Sequence, residues 1–290
     1  MKGIILAGGN GKRLYPISSI TSKHLLPVYD KPMIYYPLST LINSGVNDVL
    51  IIVSPEYYRN YESLLCDGSQ LGINIEYRIQ TQPLGIGHAL SLAEDFASQQ
   101  EVFVILGDNI FIGDYPSPIP PKTGFLTGCT IFGYPVKNPS DYGVVQLDTQ
   151  NRISSIIEKP KDPKSNIAIT GLYLFDSQVF AFAQEIQQSD RGEYEICDIL
   201  NKYLVQNEIS LHHINSKTIW LDAGTPDRIF EAASIVQEQQ RKKANMIGCI
   251  EEAAWKQGFI SDQQLFMLAK NAPSTDYRKY LFALLEGDNP

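Results

Sequence analysis

Apolar runs and turn residues alternate through the first hundred positions. Gly3-Ile4-Ile5-Leu6-Ala7, Asp48-Val49-Leu50-Ile51-Ile52-Val53 and Val102-Phe103-Val104-Ile105-Leu106 lack the polar alternation of a half-exposed strand. Each therefore predicts a strand covered on both faces. Between them, apolar spacing near 3.6 predicts helices over 34–43, 57–65 and 87–97. Strand, helix, strand in this rhythm implies βαβ units and a largely parallel sheet that holds ligands at the carboxyl ends of its strands. The middle reads differently. Tyr115-Pro116-Ser117-Pro118-Ile119-Pro120-Pro121 predicts an exposed extended loop, because proline removes donors and fixes φ. Strand patterns at 129–136, 143–147, 153–157 and 168–175 suggest a mixed or antiparallel extension. Helical patterns return over 193–205 and 226–243, and 251–285 reads as a small helical appendage.

The first strand runs into Gly8-Gly9-Asn10-Gly11-Lys12-Arg13. Glycines let backbone approach a ligand, a following helix N-terminus would attract an anion, and Lys12 and Arg13 add counter-charge. This is a polyphosphate cradle. A Walker A loop fails twice, since Leu6 stands at its first glycine and Arg13 at its Ser/Thr. A dinucleotide loop fits Gly9 and Gly11 but has Leu14 for its third glycine, and the second strand ends in Ser54 rather than an acid. The remaining pattern, Gly-Gly-x-Gly-x-Arg-Leu-x-Pro followed by Ser22-Lys23, resembles the loop of sugar-nucleotide pyrophosphorylases. An ordinary turn with solvated charges explains either piece alone, not both together.

Composition narrows the classes. At 290 residues and 43% hydrophobic content the chain can bury one large domain or one and a half. A net charge of −8 argues against nucleic acid as a partner, so local cations are expected to face a particular anion. Cys66, Cys129, Cys197 and Cys249 are scattered, which predicts no disulfide framework and no zinc site. No apolar run nears the roughly 18 residues of a membrane span, so the expectation is an untargeted cytoplasmic protein.

Several residues could carry chemistry. Lys23, behind an arginine-bearing phosphate loop, joins Arg13 as a cation for a pentavalent phosphorus centre. Asp108 follows a buried strand and is either a cap or a Mg²⁺ ligand; Mg²⁺ takes one or two carboxylates plus waters and phosphates. Asp222, after Trp220-Leu221, is the natural second ligand, although the two lie far apart in sequence. Gln80 with Pro83-Leu84-Gly85 offers an amide and a flat slot to a base, or is a plain loop. Glu158-Lys159, Tyr142-Gly143 and Thr170-Gly171 sit at strand ends or inside strands where a ligand could approach. Arg191-Gly192-Glu193-Tyr194-Glu195 opens a helix with acids in its first turn, which suits the helix dipole.

Ordered blocks now carry a resemblance from end to end: Ser22-Lys23-His24-Leu25-Leu26-Pro27, Leu106-Gly107-Asp108-Asn109, Tyr142-Gly143-Val144-Val145, Glu158-Lys159-Pro160, Ile169-Thr170-Gly171, Arg191-Gly192-Glu193 and Trp220-Leu221-Asp222. The chain resembles the bacterial glucose-1-phosphate thymidylyltransferases of the longer form. The resemblance implies a Rossmann-like three-layer α/β/α nucleotidyltransferase fold with a mixed, mostly parallel central sheet and a small C-terminal helical extension. It implies a catalytic domain over 1–243 (nucleotide-binding part about 1–125, sugar-binding part about 126–243) and an extension over 244–290. The implied reaction converts dTTP and α-D-glucose 1-phosphate into dTDP-glucose and pyrophosphate with Mg²⁺, the first step towards dTDP-rhamnose-type sugars.

The same resemblance assigns Arg13 and Lys23 to catalysis and Asp108 and Asp222 to the metal. Leu6, Gly8, Gly9, Gly11, Lys12, Gln80, Pro83, Gly85 and Asp108 go to the nucleotide. Tyr142, Gly143, Glu158, Lys159, Thr170, Gly171, Arg191 and Trp220 go to the sugar phosphate. It implies a homotetramer with feedback control by a downstream dTDP-sugar. Lys12 stands where relatives carry Thr or Ser, and Asp114, the 116–121 prolines and Ile250 depart near the regulatory region, which puts that control in doubt. A thymine methyl gives only about 1–3 kcal/mol of discrimination, so a relative using UTP or another sugar 1-phosphate stays open. A catalytically idle nucleotide-sugar sensor should have lost Arg13, Lys23 or a metal carboxylate, and all are present.

Overall fold

A computed structural model describes residues 1–113 and 127–287. Strand β1 (Lys2–Ala7) is followed by two-residue strands β2 (Pro27–Val28) and β3 (Lys31–Pro32), helix α1 (Tyr35–Asn43) and β4 (Asp48–Val53). Then come α2 (Tyr58–Leu65), β5 (Asn74–Ile79), α3 (Ile86–Ser91), α4 (Glu94–Ala97), β6 (Val102–Leu106) and β7 (Asn109–Ile112). The predicted loop over 115–121 and Asp114 lie outside the described residues. The chain resumes with β8 (Cys129–Pro135), β9 (Gly143–Leu147), β10 (Ile153–Glu158), β11 (Ile167–Phe175), α5 (Gln178–Glu185) and α6 (Ile196–Gln206). Strands β12 (Ile209–His213) and β13 (Ile219–Asp222) precede α7 (Pro226–Lys243), α8 (Ile250–Lys256), α9 (Asp262–Asn271) and α10 (Asp276–Glu286).

The main sheet runs β10-β9-β11-β6-β1-β4-β5, with β8 on β11 and β12 on β8. It is parallel through β6, β1, β4 and β5 and turns antiparallel at β11. The apolar runs explain the layering. Ile5, Ile51 and Ile105 pack with α1 and α2 on one face, while Ile4, Leu50, Ile52 and Val104 pack with α3, α5 and α6 on the other. All seven are fully buried, and each such side chain stabilises the fold by about 1.5–3 kcal/mol at most. Strands covered on both faces are thus held rigidly, and their carboxyl ends form a fixed rim. On the α1 face, α8 and α9 extend the same core through Ala253, Leu265 and Ala269.

Three predictions need correction. No α-helix follows the glycine loop: three short 3-10 turns span Lys12–Leu14, Ile17–Ser19 and Lys23–Leu25, and α1 begins only at Tyr35. Pro16, Pro27 and Pro32 each lack the N–H that a continuing helix needs. Cations and loop amides, rather than a helix dipole, are what this rim offers an anion. The helix predicted over 87–97 breaks into α3 and α4, because Leu92 and Ala93 bond three residues back, to Ala89 and Leu90. Arg191 does not open a helix. Ser189 N donates to Glu193 O at 2.9 Å and Gln188 bridges to Tyr194, so Arg191 rides a tight turn before α6.

Candidate active site

A cavity of about 410 Å³ opens at the carboxyl ends of β1 and β6. One wall is the glycine loop with Gly8, Gly9, Gly11, Lys12 and Arg13. Leu6, Gln80, Pro83 and Gly85 line a second side, and Tyr142, Gly143, Glu158, Lys159, Gly171, Arg191 and Trp220 a third. Lys23, Asp108 and Asp222 lie between them. Of the predicted residues only Thr170 is missing from this lining. Successive residues of a strand face opposite ways, so with Gly171 on the cavity the Thr170 hydroxyl points into the core and donates to Phe132 O at 3.0 Å.

The centre of the cavity is built on Asp108, in the turn between β6 and β7. Its Oδ2 accepts from Lys23 Nζ at 2.5 Å and its Oδ1 from Asn109 Nδ2 at 3.0 Å. The pair is only 11% and 12% exposed. Burial alone pushes this carboxyl up, but the Lys23 ammonium and the two hydrogen bonds outweigh it and hold Asp108 well below the usual carboxylate range. Beside it His24 is buried, and its Nδ1 lies 3.3 Å from both Ser22 Oγ and the Tyr61 hydroxyl. Burial, and then the Lys23 charge, depress His24 to about 3. The imidazole is therefore a neutral packing group, not an acid or base at physiological pH.

Strand β13 brings the second carboxylate. It pairs antiparallel with β7 so that Asp222 stands opposite Asn109, and Ala223 N donates to Asp108 O at 2.9 Å. The two aspartates, 114 positions apart in sequence, are neighbours. Burial raises Asp222, the Asp108 charge raises it further, and Arg228, Lys23 and Arg13 oppose them. Gly224 makes this crowding feasible. A Cβ there would lie 2.9 Å from Asp222 Oδ1 and 3.0 Å from Arg13 Nη2, so the Arg13 guanidinium and this carboxylate share the space above one missing side chain.

Asn109 is the hub that fixes the walls. Its Oδ1 accepts from Trp220 Nε1 at 2.6 Å and from Gly171 N at 3.1 Å, while its Nδ2 holds Asp108. Trp220 in turn packs on Tyr142, with ring centroids 5.2 Å apart. Burial, and next the Asp222 charge, push the Tyr142 hydroxyl up to about 12, so it stays a donor. Glu158 accepts from Arg191 Nη2 at 3.2 Å and from Cys197 Sγ at 3.2 Å, and Lys159 Nζ lies at 3.4 Å. Arg191 and Lys159 are 40% and 44% exposed. The Lys159 pair is weak at this exposure, whereas Arg191 is also held in a two-point fork by the buried Glu195, with Nε donating to Oε1 at 3.0 Å and Nη2 to Oε2 at 2.7 Å. On the opposite side, Gln80 Nε2 donates to Gly85 O at 3.2 Å and lies 3.0 Å from His88 Nδ1, an amide fixed at the cavity edge.

Asn109, Asp141, Gly224 and Arg228 were not singled out from sequence. Asn109 was visible only as the neighbour of Asp108, and Arg228 carried no signal beyond being charged near a helix start.

The chain as a whole is similar to one known family. The nucleotidyl transferase profile covers residues 2–239. Glucose-1-phosphate thymidylyltransferase of Neisseria meningitidis is 45% identical over 99% of this chain and 100% of its own length. The chain belongs to the glucose-1-phosphate thymidylyltransferase family of nucleotidyl transferases. The Mycolicibacterium smegmatis thymidylyltransferase is 42% identical over 99% of both chains. A crystal structure from Bacillus anthracis, described as a thymidylyltransferase in complex with sucrose, is 42% identical with a TM-score of 0.75, covering 81% of this chain and 94% of its own. The three-layer α/β fold with a mixed sheet is thus the fold of the family, and the chain is a nucleotidyltransferase.

Proposed function

We propose that the chain transfers a thymidylyl group from dTTP to α-D-glucose 1-phosphate, releasing pyrophosphate and forming dTDP-glucose. The convergence of Arg13, Lys23, Asp108 and Asp222 at one point of a cavity with two further polar walls carries this reading. The loop from Gly8 to Arg13 receives the triphosphate, with Lys12 at its outer edge. Gln80 and Gly85 receive the base edge, with Leu6 and Pro83 covering its flat faces. Glu158 accepts from sugar hydroxyls, and Arg191, Lys159 and the Tyr142 hydroxyl hold the sugar phosphate in line with the α-phosphorus.

Phosphoryl-type transfer needs positioning and charge neutralisation more than covalent help. Arg13 and Lys23 supply fixed positive charge where the equatorial oxygens gain negative charge. Asp108 and Asp222 fit a Mg²⁺ ion: one buried and one half-buried carboxylate, the latter raised by burial and by the former's charge, present the one or two protein ligands that Mg²⁺ takes. Among the described residues no group of three or more His, Cys, Asp or Glu is arranged to hold a metal, so Asp108 and Asp222 would hold the ion together with substrate phosphate oxygens and water. When bound, the ion supplies Lewis-acid neutralisation of the phosphates. Asn109 keeps Asp108, Trp220 and Gly171 in register throughout.

Among the described residues no helix is long and apolar enough to cross a membrane. A homotetramer, as the family resemblance implies, in the cytoplasm, as the scattered cysteines predict, is our expectation for the working form, with 244–290 as the extension to a 1–243 catalytic domain. The test is pyrophosphate release from a panel of nucleoside triphosphates and sugar 1-phosphates with and without Mg²⁺. Preference for dTTP with glucose 1-phosphate is expected; preference for UTP corrects the base assignment, and no turnover with any pair refutes the reading.

A further inference from the structure

Arg228 stands outside the roles assigned above, yet it touches both the centre of the cavity and its Tyr142 wall. It sits in the first turn of α7, where its backbone N donates to the Thr225 cap. Nη1 donates to Asp222 Oδ2 at 2.7 Å and Nη2 to Asp141 Oδ2 at 2.6 Å. The guanidinium also lies 5.2 Å from the centroid of the Tyr142 ring. The side chain is 24% exposed, and Asp222 is 13% exposed. One planar fork therefore joins the end of β13, the start of α7 and the 141–142 corner that leads into β9.

We propose that Arg228 is a positioning residue that clamps the metal carboxylate Asp222 to the sugar-phosphate wall. The geometry gives the clamp two effects. By occupying Oδ2, Arg228 fixes the carboxylate plane and leaves Oδ1 on the side of Arg13, above Gly224. By holding Asp141 with its other amino group, it keeps the Tyr142 corner against the same carboxylate. The occupancy of the metal ligand and the closure of the sugar-phosphate wall become one mechanical unit. A guanidinium can do this because its donors are fixed in a plane; a lysine, a single rotating point charge, cannot hold both acids at once. The inference rests on the assignment of Asp222 to the divalent ion.

The probe is Mn²⁺ alone, titrated into the full-length protein and followed by its electron paramagnetic resonance signal, with thermal melting to verify folding. Residues that orient a metal ligand typically change metal affinity by about 10–100-fold. Arg228→Met is expected to weaken Mn²⁺ binding within that range, and Arg228→Lys, which keeps the charge, to fall short of full rescue. Asp141→Asn is expected to weaken binding severalfold in the native background and to have no further effect in Arg228→Met. If Asp141→Asn acts equally in both backgrounds, it works through space as a charge, and the clamp is overturned. Mn²⁺ binding as tight or tighter in Arg228→Met also overturns it, since Arg228 would then only compete with the ion. Asp222→Asn separates the two layers of the argument. Native-like Mn²⁺ binding by that variant refutes the metal assignment itself; lost binding there with unchanged binding in Arg228→Met refutes the clamp alone.

Discussion

Replacing Lys23 by Met removes a charge and keeps the volume, which makes its two consequences separable. The first is structural. Asp108 would remain buried with Asn109 as a partner but without its counter-ion, and breaking a buried pair from one side costs about 3–5 kcal/mol. With unfolding entropy near 2.1 cal/mol/K per residue, a chain of 290 residues loses about 5–8 °C in melting temperature. The sign of the pH dependence changes as well. In the native chain Asp108 is held below its unfolded value, so its contribution is present above the unfolded pKa and lost as pH falls through the folded one. Without Lys23, burial dominates and raises it, so the variant gains stability as pH falls towards the unfolded value. Adding Asp108→Asn removes the orphaned charge and should restore most of the lost melting temperature. The second consequence is chemical: turnover should fall about 10²–10³-fold, and the double variant should not recover it. Differential scanning calorimetry and a pyrophosphate-release assay on the same preparations read both. A Lys23→Met protein that melts within about 1 °C of native contradicts the buried-pair argument, and near-native turnover removes Lys23 from catalysis.

Two more perturbations follow from the same geometry. His24, depressed to about 3 in the fold against 6.5 unfolded, makes the unfolded state bind the extra proton; stability should decline as pH drops below 6.5, by about 2 kcal/mol at pH 5. His24→Gln should flatten urea-unfolding free energies between pH 7 and 5, and an unchanged slope would sink that attribution. Gly171→Ala places a Cβ 2.6 Å from Leu106 Cγ and 2.7 Å from Asn109 Nδ2. Overpacking of this kind costs about 1–3 kcal/mol and would push Asn109 off Trp220, so KM for the sugar phosphate should rise more than KM for the nucleotide; equal effects on both would contradict the wall assignment.

The buried parallel strands were legible because a run such as Val49–Val53 has no reading other than full burial, and the glycine loop because two failed motifs left one pattern. What stayed hidden depended on tertiary pairing. Nothing between positions 108 and 222 announces that β13 will lie on β7, and only that register brings the two carboxylates together. Thr170 misled for the opposite reason: its neighbour Gly171 marks a close approach, and strand alternation then sends Thr170 to the other face. The missing first helix reflects proline chemistry spread from Pro16 to Pro32, which outweighed the local likeness to a βα turn. β5, Asn74–Ile79, alternates buried and exposed positions over only part of its length, too weak a signal for an edge strand.

The central claim is attack by a sugar phosphate on the α-phosphorus of dTTP. It is tested most directly by running the reaction with glucose 1-phosphate and dTTP labelled in parallel at the α- or the γ-phosphorus. The account predicts that the α-label appears in dTDP-glucose and the γ-label in pyrophosphate, each only when both substrates are present. Label released as inorganic phosphate, or γ-label transferred to the sugar, would contradict it.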